Sequence, residues 1–333
     1  MWCRILRRAS AGNSQGASCV RYAVRVDLLV SELPAGFVLG FAFLFGSTWG
    51  SFFNVAIYRW PRDQSVVRPP SKCPGCGAPV AARYNLPIVG YLLLRGKTAC
   101  CGTPLSPRYP IVEALSGVLS VAVFQRYVVA APPETLFLHA VLTGVCYFAF
   151  VGGLLIATFV DLEHMEIPDE VSLPGAALGL VSVMWRDPAH VADAALGAGF
   201  GFLVVQVVFV WSYELLTGRR GMGEGDAKLL MMIGAFLGYQ GVLFSVFVGA
   251  AQGLIAFVVG RVFGKKSPEP PPPAAAADEA EEDEDEDDED DEPDPQYWGH
   301  MKLPFGPFLA LGALEFLFFG DYAIEFWFGL FSP

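Results

Sequence analysis

Gly221-Met222-Gly223-Glu224-Gly225-Asp226-Ala227-Lys228 ends a polar loop and opens an apolar run. Lipid penalises charge, so a carboxylate at the mouth of an apolar segment usually has a partner and a task. A candidate partner is Asp161. It stands at the end of another apolar run, Gly152 to Val160, just before Leu-Glu-His-Met-Glu-Ile-Pro-Asp. Two aspartates held close in a site of restricted solvation resist ionising together, so one stays protonated while the other acts as a base. That is the arrangement aspartic proteases use to activate water. Gly221, Gly223 and Gly225 suit a turn that needs positive φ or the close approach of another backbone.

The composition around this stretch is that of a polytopic membrane protein. The chain has 333 residues, 53% of them hydrophobic, and a mean hydropathy of +0.44, too apolar for a soluble protein of this size. The net charge of −12 misleads. Fifteen acidic residues lie between Asp278 and Asp294, and without them the charge is +3. The acidity belongs to one segment rather than to the fold.

Hydropathy and basic residues predict an all-α chain of about eight transmembrane helices. The predicted spans are 34–57, 110–128, 135–160, 171–186, 194–216, 227–239, 241–262 and 303–320. Residues 1–33 read as an N-terminal extension without a clear cleavable signal. The loop 58–109 carries eight basic residues against the single acid Asp63, which places it in the cytoplasm. A transmembrane core occupies 110–264, a Pro-rich and acidic cytoplasmic loop 265–300, and the last membrane segment 301–333. The acidic loop has the composition of a disordered, solvated spacer. Alternating the spans from the basic loop puts Asp161 and Asp226 at the same, cytoplasmic face. Arg219 and Arg220 obey the positive-inside rule, whereas Arg186 does not.

The basic loop also holds Cys73 and Cys76, spaced Cys-x-x-Cys, and the adjacent pair Cys100 and Cys101. Among lysines and arginines, this reads as metal chemistry in a reducing compartment before it reads as a disulfide framework. Cys3, Cys19 and Cys146 have no such context.

Together these pieces resemble the type IV prepilin peptidases, the bifunctional leader peptidases and N-methyltransferases of pilus and type II secretion systems. The resemblance is carried by Gly50-Ser51-Phe52-Phe53-Asn54-Val55 with Arg59 and Pro61, by Cys73-Pro74-Gly75-Cys76-Gly77, and by Asn85-Leu86-Pro87 with Tyr91 and Arg95-Gly96. It continues through Arg108-Tyr109-Pro110 with Glu113, then Asp161 with His164, Pro168 and Asp169. Gly223-Glu224-Gly225-Asp226 with Lys228, and Pro304-Phe305-Gly306-Pro307, complete it.

The resemblance implies a Gly-x-Gly-Asp aspartic peptidase of the bacterial inner membrane, acting at the cytoplasmic face on prepilins and pseudopilins. Asp161 and Asp226 would be its catalytic pair, with Gly223, Gly225 and Lys228 in the active-site loop. It further implies cleavage after a glycine and methylation of the new N-terminus from S-adenosylmethionine, although no glycine-rich methyltransferase fingerprint is visible. The family's second Cys-x-x-Cys is altered here, because Thr98 stands where its first cysteine belongs. A structural zinc site of Cys73, Cys76, Cys100 and Cys101 therefore needs a sharp backbone turn, and a metal-free loop is the alternative.

Plainer roles compete for several residues. Asp226 also suits a helix N-terminus, and Asp169 after Pro168 reads as a helix cap. Glu163 rivals Asp161. Lys228 holds the loop, stabilises a neighbouring carboxylate or anchors a helix at the interface. Glu113 is either structural or part of a methyl-transfer site. Rival functions are a peptidase without methyl transfer, a transporter using intramembrane carboxylates, and an inactive assembly scaffold. Prepilins and lipids are the expected partners, and nucleic acid is not.

Overall fold

The computed structural model describes residues 34–68, 71–73, 75–81, 84, 86–217, 223–263 and 304–331. The N-terminal extension, the acidic loop, Gly221, Arg219 and Arg220 lie outside them. In chain order the helices are α1 (Ala35–Arg59), the short α2 (Val89–Leu93), α3 (Arg108–Phe124), α4 (Phe137–His164) and α5 (Asp169–Arg186). They continue with α6 (Val191–Leu203), α7 (Ser212–Thr217), α8 (Glu224–Phe263) and α9 (Gly306–Phe331). Wider π-helical turns extend α3 to Val129 and join α6 to α7. Among the described residues the non-helical pairing is confined to two isolated antiparallel bridges, Lys72 with Pro79 and Lys97 with Pro104.

This is an all-α, multi-pass membrane protein. Five helices are long and apolar enough to cross a bilayer, among them Phe137–His164 and Glu224–Val262. In hydrocarbon every backbone N–H and C=O must find its partner inside the segment, which only helices and closed barrels achieve. The eight predicted spans each coincide with a helix or half-helix. The predicted break between 239 and 241 falls at Gly238, whose φ of 69° and ψ of −177° divide α8. Side chains are excluded from that region, so only glycine turns the chain there.

α4 is the centre of the assembly. It packs on α1, α3, α5, α8 and α9, and 67% of its most apolar window is buried inside the protein, against 44% or less in the other four. Phe150, Leu154, Ala157 and Val160 of α4 are fully buried. Phe150 stacks on Phe236 of α8 with ring centroids 4.5 Å apart. α1 pairs with α3 on one side of α4, while α5, α6, α8 and α9 pack against one another on the other side.

Arg186, the exception to the positive-inside pattern, is accounted for locally. Its guanidinium lies 4.5 Å from the Tyr147 ring and 4.8 Å from the Phe236 ring, and its Nε donates to the Ser182 hydroxyl at 2.8 Å. Held by aromatic faces and a hydrogen bond, this arginine reports packing rather than topology.

Candidate active site

The end of α4 and the starts of α5, α8 and α9 converge. At the α4 terminus Met165 takes a left-handed conformation, φ 58° and ψ 32°, and its N–H returns to the Asp161 carbonyl. Pro168, extended at φ −67° and ψ 133°, then starts α5. The reversal leaves Asp161 in the last turn of α4 facing the mouth of the bundle. Asp226 sits in the first turn of α8, where the Asp226 N–H donates to the Gly223 carbonyl.

Asp161 and Asp226 line one cavity of about 540 Å³ and lie within range of mutual electrostatic interaction. Both are buried, at 6% and 9% exposure. Oδ2 of Asp161 accepts a 2.9 Å hydrogen bond from the Gly306 N–H at the start of α9. Two helix N-termini, those of α8 and α9, thus point their positive ends at the two carboxylates, which favours negative charge there.

Gly306 is the site residue whose role the sequence did not reveal. A Cβ at position 306 would stand 2.7 Å from Asp161 Oδ2, a separation real side chains do not adopt. The signal was its place in Pro304-Phe305-Gly306-Pro307, but nothing local links that motif to a carboxylate 145 residues earlier.

Several expectations are corrected. Gly223 and Gly225 do not take positive φ. Gly225 instead allows close packing, since a Cβ there would come within 2.9 Å of Ile167 Cβ. Lys228 stands in the cavity wall but is bound by Asp169, both carboxylate oxygens lying 2.7 Å from Nζ. Asp169 is therefore an ion-pair partner in the first turn of α5 rather than its cap, a position held by Pro168. Glu163 points elsewhere, onto Arg108 at the start of α3. His164 Nε2 lies 3.4 Å from Arg62 Nη1. The carboxylate of Glu113 accepts the Ile88 N–H at 2.6 Å and so holds a β-branched residue at φ 60°, a strained backbone. That contact gives Glu113 a structural task.

The cysteines meet in a separate cluster. Cys73 Sγ lies 3.4 Å from Cys101 Sγ, Cys76 Sγ lies 3.3 Å from Cys100 Sγ, and the Sγ atoms of Cys100 and Cys101 are 3.8 Å apart. All four fall within 4.8 Å of one another. A tetrahedral ion with metal–sulfur bonds near 2.3 Å needs sulfurs roughly 3.8 Å apart, so the four thiols can hold a metal ion.

Two matching turns build the cluster. Lys72 bridges to Pro79 and Lys97 to Pro104. The Gly77 N–H returns to the Cys73 carbonyl as the Gly102 N–H returns to the Thr98 carbonyl, and both glycines have φ near 70°. In this register Thr98 occupies the place of Cys73, and Cys101 that of Cys76. Cys100 supplies the fourth sulfur from one residue earlier, while the Thr98 hydroxyl lies 3.3 Å from Cys101 Sγ. Hydrogen bonds with the Thr103 hydroxyl and then that of Thr98 hold the Cys101 thiol down to about 5. The neighbouring Cys73 and Cys76 sulfurs push Cys100 up to about 12. Cys146 is buried within α4, apart from this cluster.

A bundle with two aspartates at the mouth of one cavity, joined to a four-thiol module, has counterparts among known proteins. Residues 44–127 match the Bacterial Peptidase A24 N-terminal domain, and residues 148–258 match the Type IV leader peptidase family. Three relatives named Prepilin leader peptidase/N-methyltransferase are similar over most of their length. The Aeromonas hydrophila protein is 37% identical over 256 residues, covering 68% of this chain and 84% of the relative. The Neisseria gonorrhoeae protein is 36% identical over 250 residues, covering 68% and 83%. The Burkholderia pseudomallei (strain 1026b) protein is 31% identical over 319 residues, covering 87% and 88%. No solved structure gives a significant match. The chain belongs to the type IV leader peptidase family.

Proposed function

We propose that this chain is a membrane aspartic endopeptidase that removes the leader from type IV prepilins and pseudopilins after a glycine, and then N-methylates the new N-terminus. The observation that carries the reading is the presence of Asp161 and Asp226, from two different helices, on one cavity at one end of the bundle. Family membership supplies the substrate class.

In this mechanism the pair shares a proton. The ionised member takes a proton from water as that water attacks the scissile carbonyl, while the protonated member donates to the developing oxyanion. The Gly306 N–H holds Asp161 in orientation, so one carboxylate has a fixed oxygen and the other is free to follow the reacting water. Trp60, Val160 and Ile167 give the cavity apolar wall, which limits competing solvation. The substrate's apolar helix lies among the spans, and its leader junction reaches the mouth. That geometry favours an inner-membrane enzyme with its site at the cytoplasmic face, in contact with lipid along its helices.

The division into a cysteine module over 58–109 and a peptidase core over 110–264 belongs to the same reading. Cys73, Cys76, Cys100 and Cys101 would hold zinc in a structural role, since four thiolates fill its coordination and leave no open position. The methyl donor is S-adenosylmethionine, a reading supported by the names of the relatives.

The test is cleavage of a prepilin by membranes containing the wild type, Asp161→Ala or Asp226→Ala, read by mass spectrometry so that an added methyl group is also seen. Both variants lose cleavage. Normal cleavage by either one removes the shared-proton pair.

A further inference from the structure

The catalytic pair does not explain the charge of the cavity. Seven lining residues are acids and one is a base, Lys228, which is already bound to Asp169. Apart from Asp161, Asp226 and Asp169, the acids are Asp63, Glu166, Glu170 and Glu224. All four are exposed and, among the described residues, none has an ion-pair partner.

They come from four separate segments. Asp63 ends the turn after α1 in a left-handed conformation, φ 51°. Glu166 lies in the reversal between α4 and α5, and Glu170 and Glu224 stand in the first turns of α5 and α8. Helix dipoles stabilise acids in first turns, which accounts for Glu170 and Glu224. Asp63 and Glu166 open no helix, so their convergence on the same mouth needs another cause.

A second observation points to a ligand. Beneath the rim Asp226 is nine-tenths buried, lines the cavity, and has no hydrogen bond to its carboxylate among the described residues. Buried carboxylates are ordinarily satisfied, and this one faces open space large enough for a peptide segment. Like charges gathered at a cleft with low-dielectric walls focus their field and concentrate the opposite charge. A peptide threaded through this cavity therefore meets apolar wall and paired carboxylates inside, then uncompensated carboxylates at the rim.

We infer that Asp63, Glu166, Glu170 and Glu224 form a subsite for cationic side chains, lysine or arginine, on the leader side of the scissile bond. The inference rests on the peptidase reading above. Carboxylates pair with such side chains by charge-assisted hydrogen bonds, and pairing on one side of the cut fixes the direction in which the chain lies across Asp161 and Asp226.

The test uses the full-length chain in detergent and two prepilin substrates that differ only in leader lysines and arginines replaced by glutamine. Each partly exposed ion pair changes affinity by roughly two- to fivefold. The wild type then favours the cationic leader by about tenfold or more in kcat/KM, through KM, and raised salt shrinks the preference. The combined variant Asp63→Asn, Glu166→Gln, Glu170→Gln and Glu224→Gln brings the ratio close to one. The single reversal Glu166→Lys shifts preference toward a leader that carries a glutamate. An unchanged ratio in the combined variant, or no shift with Glu166→Lys, overturns the subsite while leaving the peptidase reading intact. Failure of the wild type to cut either leader overturns both.

Discussion

Asp161 and Asp226 are presented by helices of 28 and 40 residues, whereas the four cysteine sulfurs hang on two turns, each closed by a single antiparallel bridge. The first site is positioned by a packed core: Val160 and Ala227, the neighbours of the two aspartates, are at most 1% exposed. The second has Cys73 buried and the other three cysteines exposed, so little besides the sulfurs themselves can hold the turns together. The difference teaches that one chain positions functional groups in two ways. A change of side-chain chemistry in the cavity should damage the reaction and spare the fold, while a lost thiol in the module should damage local structure.

The largest expected effect is at the proposed catalytic pair. Asp161→Asn and Asp226→Asn each remove one half of the proton transfer, a contribution of about 10²–10⁴-fold. Cleavage falls by that order while the thermal stability of the detergent-solubilised chain is kept. Glu163→Gln is the control, because Glu163 engages Arg108 outside the cavity lining. It retains cleavage within a few-fold, and a loss as deep as that of Asp161→Asn would reverse their assignments.

Next comes Gly306→Ala, a change that adds one methyl group and no charge. The new Cβ cannot remain 2.7 Å from Asp161 Oδ2, so the carboxylate or the start of α9 must shift. Displacement of a reacting group by about 1 Å costs on the order of 10²-fold in rate. A kcat near the wild-type value would show that the Asp161–Gly306 contact is incidental.

The module gives a prediction of a different kind. Cys100→Ala leaves three sulfurs, and elemental analysis of the purified full-length chain should show bound zinc falling from about one ion per chain toward none. Thr98→Cys in the same chain restores it, because Thr98 already occupies the backbone place that Cys73 holds in the matching turn. If methyl transfer depends on an ordered module, the methylated product falls and recovers in step with the metal, with cleavage less affected. Equal zinc in the wild type and Cys100→Ala would remove Cys100 from the ligand set.

Much of this was legible in the sequence, for reasons that differ by feature. The spans could be read because lipid imposes long apolar runs, and even the division of α8 at Gly238 was visible as a lapse between two short runs. Asp161 and Asp226 stood out because charge at the end of an apolar run is rare. Contacts between distant segments were not legible. Arg108 with Glu163 and Gly306 with Asp161 join residues 55 and 145 positions apart, and no local pattern specifies which acid an arginine or backbone N–H will meet. The strained Ile88 was hidden for the same reason, since the Glu113 carboxylate that holds it is 25 residues away.

Lys228 supplies the smallest effect, and it separates the cavity's wall from its chemistry. From sequence it was a candidate for stabilising one of the catalytic carboxylates, and such a role would make Lys228→Met cost much of the activity. The structure gives its ammonium to Asp169, with the two side chains 25% and 50% exposed. Partly exposed pairs of this kind contribute about 0.2–1 kcal/mol. Lys228→Met should therefore lower stability by no more than that and leave kcat within a few-fold of wild type. Asp169→Asn should do the same, and the double variant should be no worse than either single change, because both remove one interaction. If Lys228→Met instead cuts kcat deeply while Asp169→Asn does not, the lysine leaves Asp169 during turnover to serve the catalytic pair, and the wall and the chemistry of the cavity are one.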